Sequence, residues 1–165
     1  MRSHYCGQVN ETLIDKEVEI FGWVHRRRDH GGVIFIDLRD REGLVQAVFN
    51  PDSPELFSKA GELRNEYVVC LKGKVRKRPE GTANAELPTG QIEIACQQLE
   101  ILNRSEPLPF QIDEYANLGE EIRLRYRYLD LRRPEVRARF QMRAKITQIM
   151  RQYLDGHKLG MYIHK

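Results

Sequence analysis

Seven side chains between residues 26 and 93 form a chemically coherent set. Arg26, Arg28, Arg76 and Arg78 are permanent cations, Phe35 is a flat apolar ring, and Gln46 and Glu93 carry fixed hydrogen-bonding edges. Guanidinium groups hold phosphates and stack on bases, and an aromatic ring stacks on an unpaired base for about 1–3 kcal/mol. An amide and a carboxylate add donors and acceptors that tell one base edge from another. A surface built only to neutralise phosphate would need neither, so the set predicts a face that reads unstacked RNA bases. Each member also has a plainer reading. The Arg26–Arg28 run fits a solvated strand end, and Phe35 could be covered by a loop. Glu93 beside Arg76 or Arg78 fits a cross-strand ion pair worth little.

The set acts together only if the chain brings it to one face. Five strand-like segments precede residue 104: 16–28, 32–40, 43–50, 66–78 and 90–102. Side chains alternate faces along a strand, so each segment divides in two. Ile34, Ile36 and Leu38 form one set, Val45, Ala47 and Phe49 a second, and Val69, Leu71, Gly73 and Val75 a third. With Ile92, Ile94 and Cys96 these read as core. The opposite sets carry Phe35, Gln46, Arg76, Arg78 and Glu93. Arg26 and Arg28 share a face, but Gly22 marks a bulge or bend that leaves open which face it is.

The connections complete the topology. "RDREG" is a hairpin-sized link. Between the third and fourth strands, Ser53, Pro54 and Glu55 read as a helix start, with Leu56, Ala60 and Leu63 at helical spacing. Three strands, a helix and two strands, with Gly22 and Gly73 inside the long strands, predict a mainly β chain. The expected architecture is a five-stranded Greek-key barrel of the OB-fold type. Residues 105–133 change character and read as a linker or hinge. From Pro134 the pattern turns helical, with Phe140, Ala144, Thr147, Ile149, Met150, Tyr153 and Leu154 as an apolar stripe.

Composition limits the alternatives. The 165 residues are 41% hydrophobic and 31% charged, enough for a core in part of a highly charged chain. The net charge of +3 is uneven: residues 1–105 sum to −1 and residues 106–165 to +4. A nucleic-acid site in the first part must therefore come from local clustering. Cys6, Cys70 and Cys96 are odd in number, lack a CxxC spacing and read as buried reduced thiols of a cytoplasmic protein. The five histidines are scattered, so no metal site is expected. The first residues lack an apolar signal segment, and no run approaches a membrane span.

The stretches "YCGQVNETLIDKEVEIFGWVHRRRDHGGVIFIDLRDREGLVQAVF" and "RLRYRYLDLRRPEVRARFQMRAKI" resemble bacterial aspartyl-tRNA synthetases over residues 1–157. RYRYLDLRRP is similar to a signature of the class II synthetases for aspartate, asparagine and lysine. The resemblance implies an OB-fold anticodon-binding domain over 1–104 and a hinge over 105–133. The first helix of a class II catalytic domain would follow over 134–157, with an atypical tail over 158–165. It implies that Phe35 stacks on the middle anticodon base, uridine, and that Arg28, Gln46 and Glu93 contact the three anticodon bases. Arg26, Arg64, Arg76 and Arg78 would support them. Position 48, often aromatic in the family, is Val48 here.

His30 and Gly81 fall where family members that charge both tRNA-Asp and tRNA-Asn carry His and Gly. The anticodons GUC and GUU differ only at the third base. The expected partners are thus tRNA-Asp and tRNA-Asn, in a parent enzyme that is a homodimer using ATP and Mg²⁺. After "YLDGH" the family continues into class II motif 1, where this chain reads "KLGMYIHK". With no motif 1, 2 or 3, no catalytic residue or cofactor is expected in these residues, and they should be inactive alone. Two other readings of an OB-fold stay open: a free-standing single-strand-binding module, and an oligosaccharide-binding barrel, which would need more surface aromatics.

Overall fold

A computed structural model of the chain describes residues 1–112 and 118–157. It divides into two compact units, Met1–Pro107 and Leu108–Lys165. The tail expected over 158–165 lies outside the described residues, as do 113–117 of the expected hinge.

The first unit is a five-stranded barrel. β1 (Glu17–His30), β2 (Val33–Arg39), β3 (Leu44–Phe49), β4 (Val68–Lys77) and β5 (Ile92–Asn103) close in the order β1-β2-β3-β5-β4. All pairings are antiparallel except the short β3–β5 pair, Ala47 with Ile94 and Val48 with Ala95. The expected core faces point inward: Ile34, Ile36, Leu38, Val45, Ala47, Phe49, Val69, Leu71, Val75, Ile92 and Ile94 are all buried. Helix α1 (Pro54–Gly61) adds Ala60, and the turn after it adds Leu63. Ser53 stands at its N-cap, but only its carbonyl is engaged, accepting from the Phe57 N–H at 2.9 Å.

Two irregularities shape the barrel. β4 shifts register between Lys72 and Gly73, where a Cβ on residue 73 would lie 2.3 Å from the Ala95 carbonyl oxygen. That close approach needs glycine and lets β4 coil over β5. The bulge expected at Gly22 lies three residues later, at His25, between the pairs Val24–Leu38 and Arg26–Asp37. Gly22 instead allows close strand approach, since a Cβ there would lie 2.6 Å from the Arg39 carbonyl oxygen. Cys6 is buried, whereas Cys70 and Cys96 are half-buried, so the expectation of three buried thiols holds only for Cys6. Cys70 faces outward because Leu71 takes the core position beside it.

In the second unit, the stretch read as a linker carries two short helices, α2 (Glu120–Arg125) and α3 (Arg127–Asp130). Phe110, Ile112 and Leu129 form its small apolar core. The carboxylate of Asp130, fully buried, accepts from Arg123 Nε at 3.1 Å, Arg127 Nη1 at 2.5 Å and Arg133 Nη1 at 3.4 Å. Burial pushes its pKa up, but the hydrogen bonds and charges of these arginines outweigh that and hold it below the usual carboxylate value. Neither helix is long enough to stand alone, so this cluster supplies the order that local propensity does not. Helix α4 (Pro134–Gly156) starts at the expected proline and leaves Phe140, Met142, Ile146, Ile149, Met150 and Tyr153 exposed. No helix among the described residues is long and apolar enough to cross a membrane.

Candidate nucleic-acid interface

On the outer face of the barrel, where the end of β1 meets β2, β3, β4 and β5, an open groove of about 710 Å³ brings together seven of the ten expected site residues: Arg28, His30, Phe35, Gln46, Arg76, Arg78 and Glu93. The ladders explain the convergence. Phe35 lies opposite Arg28 on β1 and Val48 on β3, Asp37 lies opposite Gln46, and Arg76 lies opposite Glu93. Directly opposed outward residues are the closest neighbours a sheet offers, so three rungs assemble the floor. Val48 is buried beside the half-exposed Phe35 ring, giving it an aliphatic support.

The polar groups form one connected relay. Arg28 Nη2 donates to Asp37 Oδ1 at 2.6 Å and to Gln46 Oε1 at 3.2 Å. Gln46 Nε2 donates to Glu93 Oε2 at 2.9 Å, and Arg76 Nε donates to Glu93 Oε1 at 2.8 Å. A guanidinium only donates and a carboxylate only accepts, so the Gln46 amide has one orientation that satisfies both neighbours. Glu93 is only 2% exposed although it belongs to the outward set. Arg76 and Gln46 occupy both its oxygens, so the cross-strand ion pair exists and forms part of the relay. Its carboxylate retains further acceptor directions.

Arg78 is 8% exposed; its Nε donates to the Ile92 carbonyl at 3.0 Å, while its Nη2 is buried without a protein acceptor. Burial lowers its pKa, opposed by Glu93 and Asp37, from an ordinary value so high that the group stays charged at neutral pH. A buried donor left unmade is costly, so the site suits a ligand that brings an acceptor.

Two connections wall the groove. His30 ends β1 at a turn in which Gly31 and Gly32 have φ of +61° and +75°, a conformation glycine adopts freely. The β4–β5 connection supplies Pro79, Thr82 and Asn84. It is anchored by the Thr89 hydroxyl donating to the Leu44 carbonyl at 2.7 Å, and by the Asn84 N–H donating to the Gly90 carbonyl at 3.0 Å.

The remaining three expected residues lie outside the groove lining. Arg26 is exposed opposite Asp37, on the same outward face. Gly81, at φ +78°, sits beside Thr82 with open space around it. Arg64 donates to the Gly61 and Leu63 carbonyls at 3.0 and 2.9 Å and closes the end of α1. Sequence reasoning read Asp37 as outward-facing without singling it out as a site residue, and it missed Thr82 and Asn84. The outward alternation around Phe35 could have flagged Asp37, whereas the two loop residues carry no periodic signal. Among the described residues, no three His, Cys, Asp or Glu side chains converge to hold a metal.

A model of the OB-fold nucleic acid binding domain, tRNA anti-codon type, matches residues 18–102, and one of tRNA synthetases class II (D, K and N) matches residues 119–159. Asparaginyl-tRNA synthetase from Pyrococcus horikoshii superposes with a TM-score of 0.79 at 30% identity, over 95% of this chain and 36% of that one. A putative aspartyl-tRNA synthetase from Leishmania major Friedlin gives 0.81 at 25%, over 95% and 33%. An OBody bound to hen egg-white lysozyme gives 0.56 at 30%, over 64% and 96%. The chain spans about a third of the length of the synthetases it matches.

Proposed function

The chain belongs, over residues 18–102, to the OB-fold nucleic acid binding domain family of the tRNA anticodon type, and from that premise we propose that its groove reads the aspartate anticodon GUC and also admits GUU. The observation that carries this reading is the relay Asp37–Arg28–Gln46–Glu93–Arg76 beside the Phe35 ring. It fixes the direction of donors and acceptors before any ligand arrives, which favours discrimination over simple charge neutralisation. Phe35 supplies the stacking surface for the middle base, uridine. The spare acceptor capacity of Glu93 suits the N1–H and N2–H₂ donors of guanine, and guanidinium and amide N–H groups suit uracil oxygens. His30 and Gly81 lie at the two connections flanking the groove, and the missing side chain at Gly81 supports a third position that tolerates both C and U.

On this reading the longer protein is a cytoplasmic, homodimeric ligase that esterifies aspartate to tRNA-Asp and tRNA-Asn. ATP and Mg²⁺ would act in a catalytic domain of which α4 is the first helix. The test is a titration of the 165-residue chain with anticodon stem-loops bearing GUC, GUU and GAC at fixed salt, since phosphate contacts make affinity salt-dependent. Similar affinity for GUC and GUU with GAC rejected is expected. Preference for GUC over GUU would remove the dual-tRNA claim, and equal binding of all three would remove base reading.

A further inference from the structure

The arginines at the base of the reading face depend on the bulge at His25. Up to Val24, the inward positions of β1 are 18, 20, 22 and 24, all buried. Simple continuation would turn Arg26 and Arg28 inward and Arg27 outward. The extra residue reverses this, placing Arg26 opposite Asp37 and Arg28 opposite Phe35. A one-residue slip at this point would exchange which arginine meets Phe35.

The bulge is tied down from outside the groove. The β1–β4 ladder ends at Trp23–Val68; beyond it, the Val24 N–H donates to the Tyr67 carbonyl at 2.9 Å and the Val24 carbonyl accepts from the Glu66 N–H at 2.7 Å. Glu66 is one of two non-glycine residues with positive φ among those described, at +66°, and is almost fully buried. Strained backbone of this kind persists where the surroundings fix it. Its carboxylate accepts two hydrogen bonds from Arg39 Nη2, at 2.7 and 2.9 Å. Arg39 Nη1 lies 3.0 Å from His25 Nδ1. Because the guanidinium only donates, Nδ1 is the acceptor, and the bulged residue is latched through Arg39 to Glu66.

We infer that Glu66 is a positioning residue for base recognition: with Arg39 it holds the His25 bulge in register and so presents Arg28 to the groove. This rests on the anticodon-reading proposal, and the experiment separates the two. The wild-type chain and Glu66→Gln are titrated with GUC and GAC stem-loops, and the β1–β2 register is read from cross-strand NMR contacts of Phe35. Loss of a charge-assisted pair in Glu66→Gln is expected to lower the GUC-to-GAC affinity ratio about tenfold. The main contact of Phe35 is expected to move from Arg28 to Arg27, with a cooperative melt retained. A purely structural role would lower the melting temperature and leave the ratio unchanged. An unchanged ratio, or a lowered ratio with the Arg28–Phe35 contact intact, overturns the inference. If wild type itself fails to discriminate, the groove reading fails, while the register still decides the positioning claim. If Glu66→Gln does not fold, Arg39→Lys keeps the charge but loses the fork, and it is expected to move both readouts the same way.

Discussion

Around Asp130, three guanidiniums converge on one fully buried carboxylate, whereas in the barrel groove the acids are spread among the arginines and leave capacity over. Both places gather arginine, through the short-range sequence RLRYRYLDLRRP in one and through strands distant in sequence in the other, and they suit opposite uses. In the Asp130 cluster the donors turn inward to one acceptor and hold two helices too short to stand alone. In the groove, Glu93 and Gln46 orient Arg76 and Arg28 without burying them, and Arg78 keeps a donor that no protein atom accepts. The groove's arginines thus keep hydrogen-bonding capacity beside an open cavity, whereas those at Asp130 converge on one carboxylate.

The largest effect expected is on the Asp130 side. Asp130→Asn leaves three cations around a buried, uncharged amide and should destabilise the helical unit by about 4 kcal/mol. The loss should appear as faster amide exchange over residues 120–136, with stem-loop affinity unaltered; weakened RNA binding would break the contrast. Acid offers a second route. Because the folded pKa of Asp130 is depressed, its contribution is present above the ordinary carboxylate value of 3.8 and fades as pH falls below it. Exchange protection of 120–136 should fall below about pH 4 in wild type, and in Asp130→Asn that drop should be missing.

In the groove the order reverses, with recognition suffering more than stability. Glu93→Gln removes the charge and turns one of the relay's two shared acceptor oxygens into a donor, and should weaken GUC stem-loop binding by about 2–3 kcal/mol by calorimetry; a loss equal for GUC and GAC would mean the relay carries no base information. Phe35→Ala should cost about 1–2 kcal/mol of binding, largely regained in Phe35→Tyr, and no loss would show that the ring is only cover for Val48. Arg26→Ala, exposed and outside the groove lining, should cost about 0.5 kcal/mol or less. It should change the slope of affinity against salt rather than base preference; a clear shift in preference would extend the groove to include it.

Much of the barrel was legible because alternation is a local property. Ile34, Ile36 and Leu38 or Val45, Ala47 and Phe49 declare their face by spacing alone, and Ser53–Pro54 declares a helix start. The groove residues were legible for the complementary reason: a polar or aromatic residue interrupting an apolar set must face out. What stayed hidden depends on partners distant in sequence. The bulge lies at His25 rather than Gly22 because Glu66 and Arg39, some 40 and 14 residues away, bind around it. Glu93 reads as an outward carboxylate but is buried under Gln46, 47 residues earlier in the chain. The short helices near 120–130 were hidden because their stability lies in ion pairs rather than in an apolar period.

The sequence by itself determined the order of the barrel's elements, most of its core faces and the chemical kinds of side chain available to a ligand. Each follows from periodicity and residue type, which need no knowledge of the fold. Only the tertiary structure decided which arginines face the groove, which acids neutralise them and which donor is left unspent. Those outcomes turn on register, and register is set by hydrogen bonds between segments that the chain closes into contact only once the barrel has formed.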